Sequence, residues 1–184
     1  FTGRYKMTKK IIALSVAFLF AGLGVLLAAT SADTHDVTVS ILEVALLGVD
    51  DNSTITLTTV APGTAGDDVT GQTNSAKYLH YTCLNATSAE RLIDAQLSAA
   101  APAGTALLLT ATPAGGEGTG AGQVTLDNAS ATNIITAIGS VATGSTVGTD
   151  GANLAYALSI TDVASLVVGG GSTITVTFTL QEDV

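Results

Sequence analysis

Residues 172–180 read Ser-Thr-Ile-Thr-Val-Thr-Phe-Thr-Leu. Every second residue from Ile174 to Leu180 is large and apolar, and the residues between them are threonine. Successive side chains of a β-strand point to opposite faces, so a period of two is typical of a strand with one buried face. The stretch therefore predicts a β-strand whose other face is lined by threonine hydroxyl groups.

The same alternation recurs through the preceding hundred or so residues, interrupted by clusters of Gly, Asp and Pro that are typical of turns. Strands are predicted at 37–47, 54–60, 77–83, 91–97, 105–112, 123–127 and 153–160, and residues 132–138 fit either a strand or a short helix. Residues 115–122 contain five glycines and are predicted to form a flexible loop. No helical pattern of 10–15 residues separates the strands, which argues against a parallel α/β sheet. The prediction is an all-β fold, an antiparallel immunoglobulin-like β-sandwich.

The composition excludes several classes of function. Only 11% of the 184 residues are charged, and residues 33–184 hold two cations, Lys77 and Arg91, against 15 acidic residues, a formal charge of −13. Such a surface has no basic stripe to replace the counterions of a phosphate backbone, so no nucleic-acid partner is expected. Cys83 is the single cysteine, and an intrachain disulfide is therefore impossible.

The N-terminal residues have the layout of a secretory leader. Lys9 and Lys10 precede an uncharged run at 11–32, which ends in small residues. A basic segment, an apolar segment and small residues at the cut are the parts of a signal peptide. Residues 1–32 are predicted to be a leader that forms a hydrophobic signal helix and is cleaved after Ala32. The remainder is expected outside the cell or at the cell surface, with no membrane association once the leader is removed.

Other interpretations of this segment stay open. If Met7 is the initiator, residues 1–6 are upstream translation. A retained membrane helix is an alternative, because the 19 residues 11–29 would span roughly 28 Å, close to a hydrocarbon core of about 30 Å. The beginning also resembles a mature type IV pilin over the first 30 residues, although Tyr5 stands where that family usually has Glu.

Residues suited to catalysis are few. His80 and Cys83 are three positions apart, so strand alternation places them on opposite faces and they cannot act as a nucleophile and its base. The acidic residues of the predicted turns lack the Asp-x-Asp-x-Asp-Gly spacing of a calcium loop. Those residues are Asp50, Asp51, Asp67, Asp68 and Asp150. No catalytic, metal or cofactor-binding residue is predicted, and the chain is not expected to be an enzyme.

The first strand after the leader is the most informative segment for function. Residues 37–47 read Val-Thr-Val-Ser-Ile-Leu-Glu-Val-Ala-Leu-Leu. This strand is either the first strand of its own sandwich or a strand lent to a neighbour, where it would add main-chain hydrogen bonds and fill a groove with alternate side chains. The predicted domains are therefore the leader, an N-terminal strand at 33–47 and a sandwich at 48–184. The predicted donor side chains are Val37, Val39, Ile41, Val44 and Leu46.

With this apolar N-terminal strand, a Thr/Ala/Gly-rich body and an alternating C-terminal strand, residues 33–184 resemble small secreted bacterial β-sandwich subunits of extracellular fibres, pilin-like and of the donor-strand type. The chain departs from the many chaperone–usher pilins that carry an internal disulfide. The resemblance implies a structural subunit of an extracellular filament or surface fibre, with copies of itself as partners. The alternative is a secreted adhesive or carbohydrate-binding module that binds surface sugars, and a secreted hydrolase would require convergent carboxylates.

Overall fold

A computed structural model describes residues 33–86, 89–169 and 171–183. The predictions made for residues 1–32, including the signal helix and its cleavage site, lie outside these ranges. The chain divides into two compact units, residues 1–40 and 41–184. In the first unit, residues 33–40 are exposed and belong to no strand or helix.

The second unit is built from short and medium strands, as the alternation in the sequence predicts. Its strands are β1 (Val44–Val49), β2 (Thr59–Val60), β3 (Thr70–Gly71), β4 (Thr73–Leu84), β5 (Arg91–Leu97), β6 (Thr105–Thr112), β7 (Thr119–Gly120), β8 (Gln123–Thr125), β9 (Thr132–Ile138), β10 (Val141–Ala142), β11 (Ala152–Ile160) and β12 (Val176–Glu182). One turn of 3-10 helix spans Val163–Ser165, and the Asp162 side chain caps its N-terminus.

The strands form two larger sheets and one small hairpin. The first sheet has the order β1-β4-β11-β6-β8, with β10 also paired to β4. The second has the order β12-β5-β9-β7, and β2 pairs with β3. Every pairing between these strands is antiparallel.

Both larger sheets contribute to a single hydrophobic core. Alternate residues of β4 in the first sheet (Leu79, Tyr81 and Cys83) and of β5 in the second (Ile93 and Ala95) are buried in it. Both faces of β5 are buried, and its Asp94 carboxylate accepts a hydrogen bond from Gln181 Nε2 at 2.9 Å. Side chains from both sheets therefore form one core.

The predicted all-β antiparallel fold is confirmed, and its immunoglobulin-like form is not. β4 lies between β1 and β11, a strand close to the C-terminus. Alternation shows which face of a strand is buried, and it does not show which strand lies beside it.

The glycine-rich residues 115–122 form a partly exposed turn followed by β7. They include β7, and the Tyr81 hydroxyl donates a hydrogen bond to the Glu117 carbonyl oxygen at 2.6 Å. Gly118 has a φ of +127°, and a Cβ atom there would lie 2.9 Å from Ile135 Cγ2. The glycine is thus required for close packing and for a conformation that other residues rarely adopt.

Candidate subunit interface

Residues 33–42, called here the arm, expose large apolar side chains and belong to no strand. The exposed fractions are 72% for Val37, 80% for Val39, 83% for Ile41 and 78% for Leu42. Single exposed apolar residues are ordinary, whereas four large exposed ones within six residues are a concentration of the kind that marks interaction sites.

The five predicted donor residues fall into two groups. Val44 and Leu46 lie in β1, opposite Leu84 and Thr82 of β4 in the same chain. The next inward-facing residues of β1, Leu47 and Val49, pack against the core. Val37, Val39 and Ile41 precede β1 and are in no strand. Residues 44–49 therefore complete the chain's own sheet, and residues 37–41 keep the alternation of a strand without pairing as one.

A buried arginine holds the residue between the arm and β1. The Glu43 carboxylate forms an ion pair with the Arg91 guanidinium, and Arg91 is only 8% exposed. Arg91 Nε also donates a hydrogen bond to Asn85 Oδ1 at 3.1 Å, and Asn85 Nδ2 donates to the Ile138 carbonyl oxygen at 2.9 Å. This network fixes Glu43, the residue that immediately precedes β1.

β12 presents an open edge. Ser98 N donates a hydrogen bond to the Thr175 carbonyl oxygen at 2.9 Å, and Asp183 N donates to the Glu90 carbonyl oxygen at 3.1 Å. In an antiparallel pair, residues that exchange hydrogen bonds alternate with residues whose N–H and C=O groups point away from the partner. The backbone groups of the even-numbered residues of β12 must therefore point away from β5. These residues are Val176, Phe178, Leu180 and Glu182.

Within the described ranges, these outward backbone groups have no hydrogen-bond partner. The side chains of Val176, Phe178 and Leu180 pack against the core and are only partly buried. The edge thus combines unpaired main-chain groups with an incompletely covered apolar face. Such an edge is a template for pairing with another chain.

In the part of the chain that the structure describes, β1 also has an outer edge with no strand paired to it, and this edge is shorter than that of β12. Asp50 N donates a hydrogen bond to the Tyr78 carbonyl oxygen at 3.0 Å, which sets the alternation along β1. The backbone groups of Ala45, Leu47 and Val49 then point away from β4. The opposite edges of the two sheets are the three-residue β8 and the two-residue β7, which are short enough to be poor templates.

A second buried cation secures the chain just after β1. Lys77 Nζ pairs with the Asp51 carboxylate and donates a hydrogen bond to Ser53 Oγ at 2.7 Å. Hydrogen bonds from Lys77 and Ser53 lower the pKa of Asp51 to about 2, because they stabilise its ionised form. Both buried cations have a structural role that was not predicted from the sequence. The sequence did contain one indication of this role, because residues 33–184 have 15 acidic residues and only two cationic ones.

Three residues with side chains suited to catalysis or metal binding are held by contacts within the fold. Cys83 is buried in the core, and burial raises the pKa of its thiol. On the other face of β4, His80 Nδ1 lies 3.2 Å from the Gly144 carbonyl oxygen. Asp150 accepts a hydrogen bond from Thr146 N at 2.8 Å, and this bond lowers the pKa of its carboxyl group. In the part of the chain that the structure describes, His, Cys, Asp and Glu form no group of three or more that could hold a metal ion.

Residues 33–86, 89–169 and 171–183 contain no helix that is long and apolar enough to cross a membrane. Comparison of the chain with protein-family models, curated proteins and solved structures finds no match. The function must therefore be inferred from the chain's own residues.

Proposed function

We propose that this chain is a structural subunit of an extracellular filament or surface fibre, assembled by β-strand addition between copies. The observation that carries the proposal is the arm, a segment with the alternation of a half-buried strand and exposed apolar side chains. An alternating segment of this kind binds a sheet edge by main-chain hydrogen bonds, and its alternate side chains fill pockets there.

The arm offers enough apolar surface to matter for assembly. Full burial of Val37, Val39 and Ile41 stabilises a contact by roughly 1.5–3 kcal/mol per side chain, or about 5–9 kcal/mol in total. Association costs about 4–15 kcal/mol in lost rotational and translational freedom. The balance is close, so assembly depends on protein concentration and is sensitive to single substitutions in the arm.

The geometry of strand donation between subunits determines the shape of the assembly. A subunit that gives its arm to one neighbour and accepts an arm from another makes a head-to-tail contact, which yields an open filament unless the rotation closes a ring. The two sheets around one core are proposed to be a β-sandwich that serves as the rigid body of each subunit. The leader pattern of residues 1–32 supports secretion, and the formal charge of −13 supports solubility outside the cell.

Deletion of residues 34–42 from the full chain tests the proposal. The unmodified protein is expected to form filaments that are visible by electron microscopy and sediment faster as concentration rises. The shortened protein is expected to stay monomeric with the same melting temperature, because β1 and the Glu43–Arg91 ion pair are retained. Filaments from the shortened protein, or monomers from both at high concentration, would reject strand addition by the arm.

A further inference from the structure

We infer that the acceptor of the arm is the open edge of β12 in a second copy, and that the arm pairs antiparallel to β12 with Val39 opposite Phe178. This inference rests on the proposed function and specifies the partner surface. β12 offers outward backbone groups at four residues, whereas β1 offers them at three.

The arm and β12 have matching patterns. Residues 37–41 read Val-Thr-Val-Ser-Ile and residues 176–180 read Val-Thr-Phe-Thr-Leu. With Val39 opposite Phe178, the apolar side chains of the arm extend the partly buried face of β12. Thr38 and Ser40 then lie beside Thr179 and Thr177 on the other face, and cross-strand pairs of hydroxyl residues are favourable.

Charge selects the direction of the arm. In the antiparallel register, Val37 lies opposite Leu180, and His35 lies opposite Glu182. In the parallel arrangement with the same apolar matching, Glu43 would lie opposite Glu182. Like charges directly opposite one another destabilise a strand pair. Glu43 is, in addition, already paired with Arg91 of its own chain.

The fold also opposes use of the chain's own β12. β1 lies beside β12. The ion pair places Glu43, at the start of β1, near Arg91, and Arg91 is opposite Glu182 at the end of β12. The start of β1 is therefore near the end of β12, and the two strands run in opposite directions. To reach its own β12, the arm would have to reverse direction within the Ile41–Val44 segment. That segment contains no Gly, Asn, Asp or Pro, the residues that tight hairpin turns favour. Reversal would also impose the disfavoured parallel direction, so the edge stays open for another copy.

Cysteine pairs in the full chain test the partner and the register together. The test variant combines Ser40→Cys with Thr177→Cys, because residues 40 and 177 are directly opposite in the antiparallel register. The control combines Ser40→Cys with Thr179→Cys, because residues 40 and 179 are opposite in the parallel arrangement. A third variant pairs Ser40→Cys with Leu46→Cys to report on β1. Only directly opposite residues bring Cβ atoms within the 3.5–4.5 Å that a disulfide needs, since diagonal neighbours are about 7–8 Å apart. The native Cys83 is buried and is retained in all three variants.

After mild oxidation of assembled protein, the Thr177→Cys variant is expected to give a ladder of disulfide-linked multimers at least tenfold more intense than either control. A ladder mainly from the Thr179→Cys or Leu46→Cys variant, a disulfide within one chain, or filaments without any ladder would overturn the inference and leave the proposed function standing. Absence of filaments from the unmodified chain would overturn the proposed function, and the inference with it.

Discussion

Substitution of Val39 by Asp should abolish assembly without changing the stability of the subunit. Val39 is 80% exposed in the free subunit, and a substitution at such a position changes the free energy of unfolding by about 0.5 kcal/mol or less. In the filament, the same change loses roughly 1.5–3 kcal/mol of apolar burial and places a carboxylate in an apolar groove at a cost of several kcal/mol more. A combined loss of about 4–6 kcal/mol weakens each contact about 10³- to 10⁴-fold.

Val167→Asp is the matched control, because Val167 is 74% exposed and lies outside the arm. Sedimentation as a function of concentration measures the lowest concentration at which filaments form, and urea unfolding measures subunit stability. Val39→Asp should raise this lowest concentration above the solubility of the protein, so that no filaments form. Val167→Asp should leave it unchanged. Equal assembly by both variants, or equal loss in both, would refute burial of Val39 between copies.

Three further predictions concern the subunit itself. The lowered pKa of Asp51 contributes stability that is present above its unfolded value near 4 and is lost as pH falls through about 2. Asp51→Asn should therefore flatten the loss of unfolding free energy between pH 4 and pH 2 in urea titrations. Gly118→Ala should cost about 1–3 kcal/mol through backbone strain, while Gly115→Ala, where a Cβ meets nothing within 4 Å, should be nearly neutral in the same assay. Glu43→Gln should lower the melting temperature, at a cost of roughly 1–2 kcal/mol, because it leaves the buried Arg91 without its charged partner; an unchanged melting temperature would contradict the anchoring role of that ion pair.

The sequence predicts three strands in the interior of the two sheets closely. β5, β6 and β11 agree with the alternation at 91–97, 105–112 and 153–160 to within one residue. In β9 the alternation fails because Ile134 and Ile135 are both buried and Ala137 has a φ of +54°, so the strand is irregular and its sequence fitted a helix equally well.

The alternation of apolar and polar residues indicates which side chains are buried. It does not indicate whether the backbone pairs with another strand. Ile55 and Leu57 do pack against the core, yet they precede the two-residue β2 and belong to no strand. In the same way, the run at 37–47 reads as one strand, while the structure begins β1 at Val44. The pattern is continuous there, and the change occurs at Glu43, whose ion pair with Arg91 depends on a contact 48 residues away along the chain.

At the candidate interface, too, the sequence pattern predicts exposed or buried side chains but not backbone pairing. The donor side of the contact could be predicted from residues 37–41, because exposed alternation is a local property. The acceptor side could not, because the open edge of β12 follows from the order of strands and from which of its residues bond to β5. Burial of Lys77 and Arg91 likewise results from tertiary pairing with acidic residues distant in sequence.

Amide hydrogen exchange of the assembled protein, compared with dilute protein, tests strand addition most directly. We expect the peptide that contains residues 37–41 to exchange freely in the dilute subunit and to be strongly protected in the filament, together with the outward amides of β12, because main-chain hydrogen bonds protect both. An arm that exchanges as fast in the filament as in the free subunit would contradict the account.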